Sequence, residues 1–178
     1  MIMIRKIALA MTLLSACGYA AADAGDSGYI GLGVGSVDYG IDSSADFDNP
    51  MGFEVIIGKA VNRNVAFELS YIDFGKSENG AIPKQNLDAS AITAGALLGG
   101  KLGKSANVFV KLGLQGWDSE LSQDGAGVIA SKDGTDIFYG FGVMLKATNS
   151  ISLGARYNIY DFDGDDISML SVNAQLNF

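Results

Sequence analysis

One feature constrains this chain more than any other: from residue 28 onward its hydrophobicity alternates with a period of two, over stretches of about ten residues, eight times in succession. A period of two means strands with unlike faces, because successive side chains point to opposite sides of the pleat. The stretches fall at about 28–38, 51–60, 65–74, 88–100, 106–117, 135–146, 151–161 and 167–178. In the first, Ile30, Leu32 and Val34 alternate with Gly31, Gly33 and Gly35; in the second, Phe53, Val55 and Ile57 alternate with Gly52, Glu54 and Gly58. Val65, Phe67, Leu69 and Tyr71 then oppose Ala66, Glu68 and Ser70, and Val108, Val110, Leu112 and Leu114 oppose Lys111, Gly113 and Gln115. The last three stretches repeat the pattern with Tyr139, Phe141, Val143 and Leu145, with Ile151, Leu153, Ala155 and Tyr157, and with Val172, Ala174, Leu176 and Phe178. The fourth, with Ile92, Ala94, Ala96 and Leu98, is the least regular.

A half-buried strand of a soluble sheet also alternates, so the contents of the two faces must decide. One face is continuously large and apolar. The other is glycine, serine and a few charges, too small and too polar for an ordinary hydrophobic core. Bulky residues outward and small or polar residues inward is what a bilayer selects in a closed sheet. No uninterrupted apolar run of 18 residues, the length a membrane-spanning helix needs, follows the first segment of the chain. The expected fold is an eight-stranded, antiparallel, up-and-down transmembrane β-barrel.

The connections agree. Barrels of this kind alternate tight turns on the periplasmic side with longer loops outside. Short links fall near 61–64, 101–105 and 147–150, whereas those at about 39–50, 75–87 and 118–134 are long, polar and glycine-containing; the fourth outer link, 162–166, is short. Pro50 and Pro83 both lie in long links, where no ladder hydrogen bond is lost. Phe53, Tyr71, Tyr139 and Tyr157 lie on the apolar face, each six or seven residues from a periplasmic turn, and are expected to form an aromatic girdle at the outer interface. Phe178 would mark the inner one.

The first segment is basic at Arg5 and Lys6, apolar from Ile7 to Leu14 and rich in small residues from Ser15 to Ala24, the layout of a secretory signal peptide. The expected division is a signal peptide over 1–24 and the barrel over 25–178. The alternative is a lipoprotein signal over 1–16, since Leu14-Ser15-Ala16-Cys17 looks like a lipobox that would leave Cys17 lipidated. Either way no free thiol remains, which suits an oxidising periplasm. A net charge of −8 argues against a nucleic-acid partner, which needs a basic face.

On these residues the chain resembles the small outer-membrane barrel families typified by the OmpA transmembrane domain and by OmpX, over about 28 to 178. The most specific segment is the end, Ser171-Val172-Asn173-Ala174-Gln175-Leu176-Asn177-Phe178, similar to the terminal strand signal read by the barrel-assembly machinery through Leu176 and Phe178; Asn173 replaces the usual glycine. The resemblance implies an outer-membrane location, lipid and lipopolysaccharide as surroundings, the assembly machinery as a transient partner, a monomeric state, and no cofactor.

Four charges fall on the inward face: Glu54, Glu68, Lys111 and Arg156. Two acids and two bases can satisfy one another in a side-chain-filled lumen, where isolated charges could not. The resemblance implies the same, since OmpA-like barrels contain such a network. The alternative is a gate whose pairing rearranges to pass small ions. Catalysis is not expected: the chain has no histidine, and Cys17 is its one cysteine, so neither a Ser/His nor a Cys/His pair can form. The run Asp161-Phe162-Asp163-Gly164-Asp165-Asp166 has the oxygen-rich look of a calcium loop, with Asp161, Asp163, Asp165 and Asp166 as ligands, but it lacks the distal glutamate of an EF-hand; a solvated acidic hairpin tip is the preferred reading. Gly31-Leu32-Gly33-Val34-Gly35 has the wrong spacing for a phosphate loop. Acids such as Asp38, Asp73, Glu78, Asp118, Glu120, Asp124, Asp133 and Asp136 crowd the outer end, whereas Lys59, Arg63, Lys101, Lys104 and Lys146 lie near the periplasmic turns. The expected function is structural, in the cell envelope, with exposed loops; a narrow pore, a surface adhesin and a soluble lipocalin-like barrel are the alternatives. A long exposed strand hairpin would favour the adhesin, but the loops are rich in glycine and aspartate with few aromatics and lend it weak support.

Overall fold

The computed structural model describes residues 28–40, 48–79 and 84–178. Eight strands follow one another in chain order: β1 Gly28–Asp38, β2 Met51–Ala60, β3 Val65–Glu78, β4 Gln85–Leu102, β5 Ala106–Gln123, β6 Gly127–Lys146, β7 Ile151–Phe162 and β8 Asp165–Asn177. Each pairs antiparallel with the next, and β1 pairs antiparallel with β8, so the sheet closes into a barrel without an edge along its wall. The seam is well matched: Tyr29 to Asp38 run opposite Asn177 to Ser168, and the Phe178 amide donates to the Gly28 carbonyl at 2.9 Å. The signal-peptide and Cys17 expectations fall on residues outside those described.

The alternation read from the sequence is the alternation of the wall. Leu32, Leu69, Leu112, Leu153 and Val172 stand exposed on the outside, while Glu68, Lys111, Gln115 and Arg156 are buried within. A wall whose outer face is leucine and valine cannot rest in water, and the expected lipid-facing orientation follows from it.

Two links expected as loops are largely strand. Residues 118–134, expected as a long polar loop, continue β5 to Gln123 and begin β6 at Gly127, with a turn between them. Likewise β3 runs to Glu78 and β4 begins at Gln85, so seven of the thirteen residues 75–87 are strand. The hydrophobic signal fades there because these segments stand above the membrane with water on at least one face, yet the ladder continues: Asp88 pairs with Glu120, and Glu120 with Ser131. A bulge between Leu121 and Ser122 bends the extension. The pairing of β6 with β7 starts only at Phe138 and Tyr160. Among the described residues, 127–137 of β6 have no ladder partner on the β7 side, so they form one margin of an extension in which β3, β4, β5 and β6 rise together beyond the β7–β8 hairpin.

Candidate functional site

The interior is stratified. Near the middle, four strands each send one side chain to the axis: Tyr29 from β1, Glu68 from β3, Lys111 from β5 and Arg156 from β7. Alternate strands point into the same layer of a closed barrel, so the odd-numbered strands supply this one. Arg156 grips the Glu68 carboxylate with both guanidinium arms, at 2.8 and 2.9 Å. Lys111 reaches the same carboxylate at 3.0 Å, and the Tyr29 hydroxyl donates to it at 2.8 Å. The three charged side chains are wholly removed from solvent. One carboxylate thus accepts from two cations and a phenol, the charge-assisted, forked geometry that makes burial of charge tolerable. Aromatic faces cover the cations from the other side, with Lys111 Nζ 5.0 Å from the Phe138 ring and Arg156 5.3 Å from that of Phe109.

The four-charge network expected from the sequence is corrected here to a three-charge cluster. Glu54 comes from β2, an even strand, and makes no salt bridge among the described residues, although its charge lies close enough to act on Arg156: its Oε1 accepts weak bonds from Ser171 Oγ at 3.4 Å and Asn173 Nδ2 at 3.3 Å. Its Oε2 has no hydrogen-bond partner among the described residues.

Above the cluster the lumen is apolar, which the small and polar appearance of the inward face did not anticipate. Phe74, Trp117, Phe138, Tyr160 and Phe162 join Val37, Ile72, Ile167 and Met169 in one buried body. The rings meet edge-on, tilted or stacked, with Phe74 5.0 Å from Tyr160, Trp117 4.6 Å from Phe162 and Phe138 5.7 Å from Tyr160 between centroids. The inward glycines make this plug fit. A Cβ on Gly95 would lie 2.8 Å from the Phe138 ring, one on Gly113 2.6 Å from the same ring, and one on Gly134 2.7 Å from the ring of Trp117. What reads as a stripe of small residues is the complement of bulky rings arriving from other strands. The sequence carries the signal: Phe74, Trp117, Tyr160 and Phe162 share strand parity with the glycines and charges. Below the cluster, Leu97, Phe109 and Met144 make a second, smaller apolar group near the periplasmic mouth.

The expected girdle resolves into two aromatic pairs. Phe53 packs on Tyr71 at 6.2 Å, and Phe141 on Tyr157 at 5.7 Å, on opposite sides of the barrel, with Tyr139 exposed nearby. Tyr71 points outward as expected but is only 6% exposed. Between the pairs the outer face is aliphatic, at Ile92, Leu112, Leu170 and Val172. Leu176 faces outward opposite Ile30 and Ile151, and Phe178 packs its ring against Gly28.

Asp161, Asp163, Asp165 and Asp166 do not converge. They occupy a two-residue hairpin in which Phe162 pairs with Asp165, and Asp163 and Gly164 both take positive φ, 57° and 92°. That is the Asp-Gly turn whose twist matches the strands it joins. The Asp161 carboxylate accepts from the Gly164 amide at 2.9 Å and is engaged by the turn itself. Among the described residues no three carboxylate, cysteine or histidine side chains could hold a metal ion.

A closed, antiparallel, eight-stranded sheet with lipid-compatible walls and a filled, charge-stitched lumen defines the class: this is a small transmembrane β-barrel. The sequence profile of the outer membrane protein beta-barrel domain matches residues 7–178, and the chain belongs to that family. The chain is similar in structure to Ail, the attachment invasion locus protein of Yersinia pestis, solved in complex with the heparin analogue sucrose octasulfate, with 18% identity over 86% of this chain and 99% of that one and a TM-score of 0.59. It is similar also to the N-terminal β-barrel domain of Pseudomonas aeruginosa OprF, with 15% identity, 86% and 98% coverage and a TM-score of 0.60. Neisserial surface protein A matches with 16% identity, 89% and 100% coverage and a TM-score of 0.57. No curated protein matches the chain in sequence. It is therefore an outer-membrane β-barrel protein of the cell envelope.

Proposed function

We propose that this barrel is a closed structural element of the outer membrane, neither a conducting pore nor an enzyme. The carrying observation is the filled lumen. A cluster with no solvent exposure spans the axis at Glu68, Lys111 and Arg156, and an aromatic plug lies directly above it. An ion entering from outside would have to displace packed rings and then part a forked ion pair. The protein reconstituted in planar bilayers should give no discrete conductance steps; reproducible steps from a detergent-resistant, heat-modifiable species would overturn the reading. Export by the residue 1–24 signal, assembly through Leu176 and Phe178 and a monomeric state belong to the same proposal.

A second reading, surface binding, is favoured by the extension of β3 to β6 and by its long β5–β6 hairpin, the kind of element that such a role would use. Its β6 margin over residues 127–137 pairs with β5 but has no ladder partner on its other side among the described residues, and Val128 and Ile129 are exposed there. Removing 119–131 should then abolish adherence while leaving the heat-modifiable barrel intact. A polyanion such as the one bound to Ail is a poor candidate, because the extension and the loops beside it are acidic.

A further inference from the structure

Where the protruding sheet leans over the barrel mouth there is a hollow of about 230 Å³. Its floor is the top of the aromatic plug, with Trp117, Phe162, Tyr39 and Ile167 all nearly buried. Leu87 of β4 and Leu121 of β5 form its wall, from the face of the extension that continues the lumen lining. At its rim stand one base, Lys132, and one acid, Asp165. The volume lies below the ~300 Å³ at which pockets for drug-sized ligands begin, so a compact ligand fits it best.

The surroundings choose the charge. Every described acid except Glu54 and Glu68 lies in the outer half of the molecule, against three bases there, Lys76, Lys84 and Lys132. Asp136 accepts from Trp117 Nε1 at 2.7 Å, placing a carboxylate against the floor itself. The Tyr39 hydroxyl is held well above its ordinary pKa, first by burial and then by the charges of Asp88 and Asp73, so the same field reaches the other side of the hollow. A field of this sign repels anions and concentrates cations, and an aromatic floor in acidic surroundings suits an ammonium group.

We propose that this hollow binds a small cationic amphiphile, an ammonium carried on a compact aromatic or alkyl body, with the body on Trp117 and Phe162 and the cation turned toward Asp165 and away from Lys132. The site stands apart from the closed lumen beneath it and does not require passage through the barrel.

Trp117 is the sole tryptophan of the chain, so its emission reports on this floor alone. The full protein, folded in phosphatidylcholine nanodiscs, is titrated with benzyltrimethylammonium, with benzyl alcohol and phenylacetate as neutral and anionic counterparts. The ammonium should give a saturable change, and Asp165→Asn should weaken its midpoint about fivefold, the size of a near-surface charge contact. Raising salt from about 0.05 M to about 0.5 M should weaken it comparably. Lys132→Gln should strengthen it, a result that a purely structural role for Lys132 does not produce. Heat-modifiable gel mobility confirms that each variant is folded. Equal response to the neutral compound, absence of saturation, or an unchanged midpoint in folded Asp165→Asn would sink the proposal. So would a response that appears only after 41–47 is replaced by a glycine-serine linker, because the hollow would then belong to the chain's own connection.

Discussion

Two neighbouring layers of the lumen, the aromatic plug and the ion cluster beneath it, solve the same problem by opposite means. Both must fill a narrow cylinder. The upper layer does so with rings seated over glycines, the lower with one carboxylate clamped between two cations. Ring packing is tolerant of small adjustment, and its energy is spread over many weak contacts. The ion cluster concentrates its energy in a few short bonds, and removing one member strands the others in a buried site. The contrast teaches that a polar lumen is not one uniform environment: the charged layer is brittle and the aromatic layer compliant.

The largest test of that contrast is Glu68→Ala. It leaves Lys111 and Arg156 buried without their carboxylate and should lower stability by about 5 kcal/mol, the upper end for a broken buried pair, read by urea unfolding in lipid bilayers. A loss below about 1 kcal/mol would mean that the cluster is effectively hydrated and no more brittle than the plug. Next comes Gly113→Ala, whose added methyl meets the Ala94 carbonyl and the Phe138 ring; overpacking of this kind should cost about 1 to 3 kcal/mol. A neutral result would show that the rings shift freely and that the glycine seats are not required. The smallest effect belongs to Glu54→Gln, at most about 1 kcal/mol, because among the described residues this acid makes two long hydrogen bonds and no salt bridge. Were it as damaging as Glu68→Ala, the two carboxylates would share the cations and the distinction between odd and even strands would collapse.

Much of this architecture is legible in the order of the residues. Strand parity alone places Glu68, Lys111 and Arg156 on the inward face and Leu69, Leu112 and Leu153 on the outer one, because side-chain direction is fixed by position along a strand. Parity does not reveal that Glu68 takes both cations and Glu54 neither, since that depends on which strands face one another across the axis. The aromatic plug is also within reach, as Trp117 and Tyr160 sit at inward positions, but among glycines they read as exceptions to a polar face. The strand extensions at 118–134 leave little trace because they carry no membrane-facing stripe.

What the sequence determined by itself is the period, the parity and the number of strands, and with them the closed barrel and its lipid-facing side. These are local properties, written in which residue follows which. The pairing across the axis, the seating of rings over Gly95, Gly113 and Gly134, and the hollow beneath the protruding sheet arise only when distant strands are curled to face each other. Closure sets those distances, and no stretch of ten residues contains them.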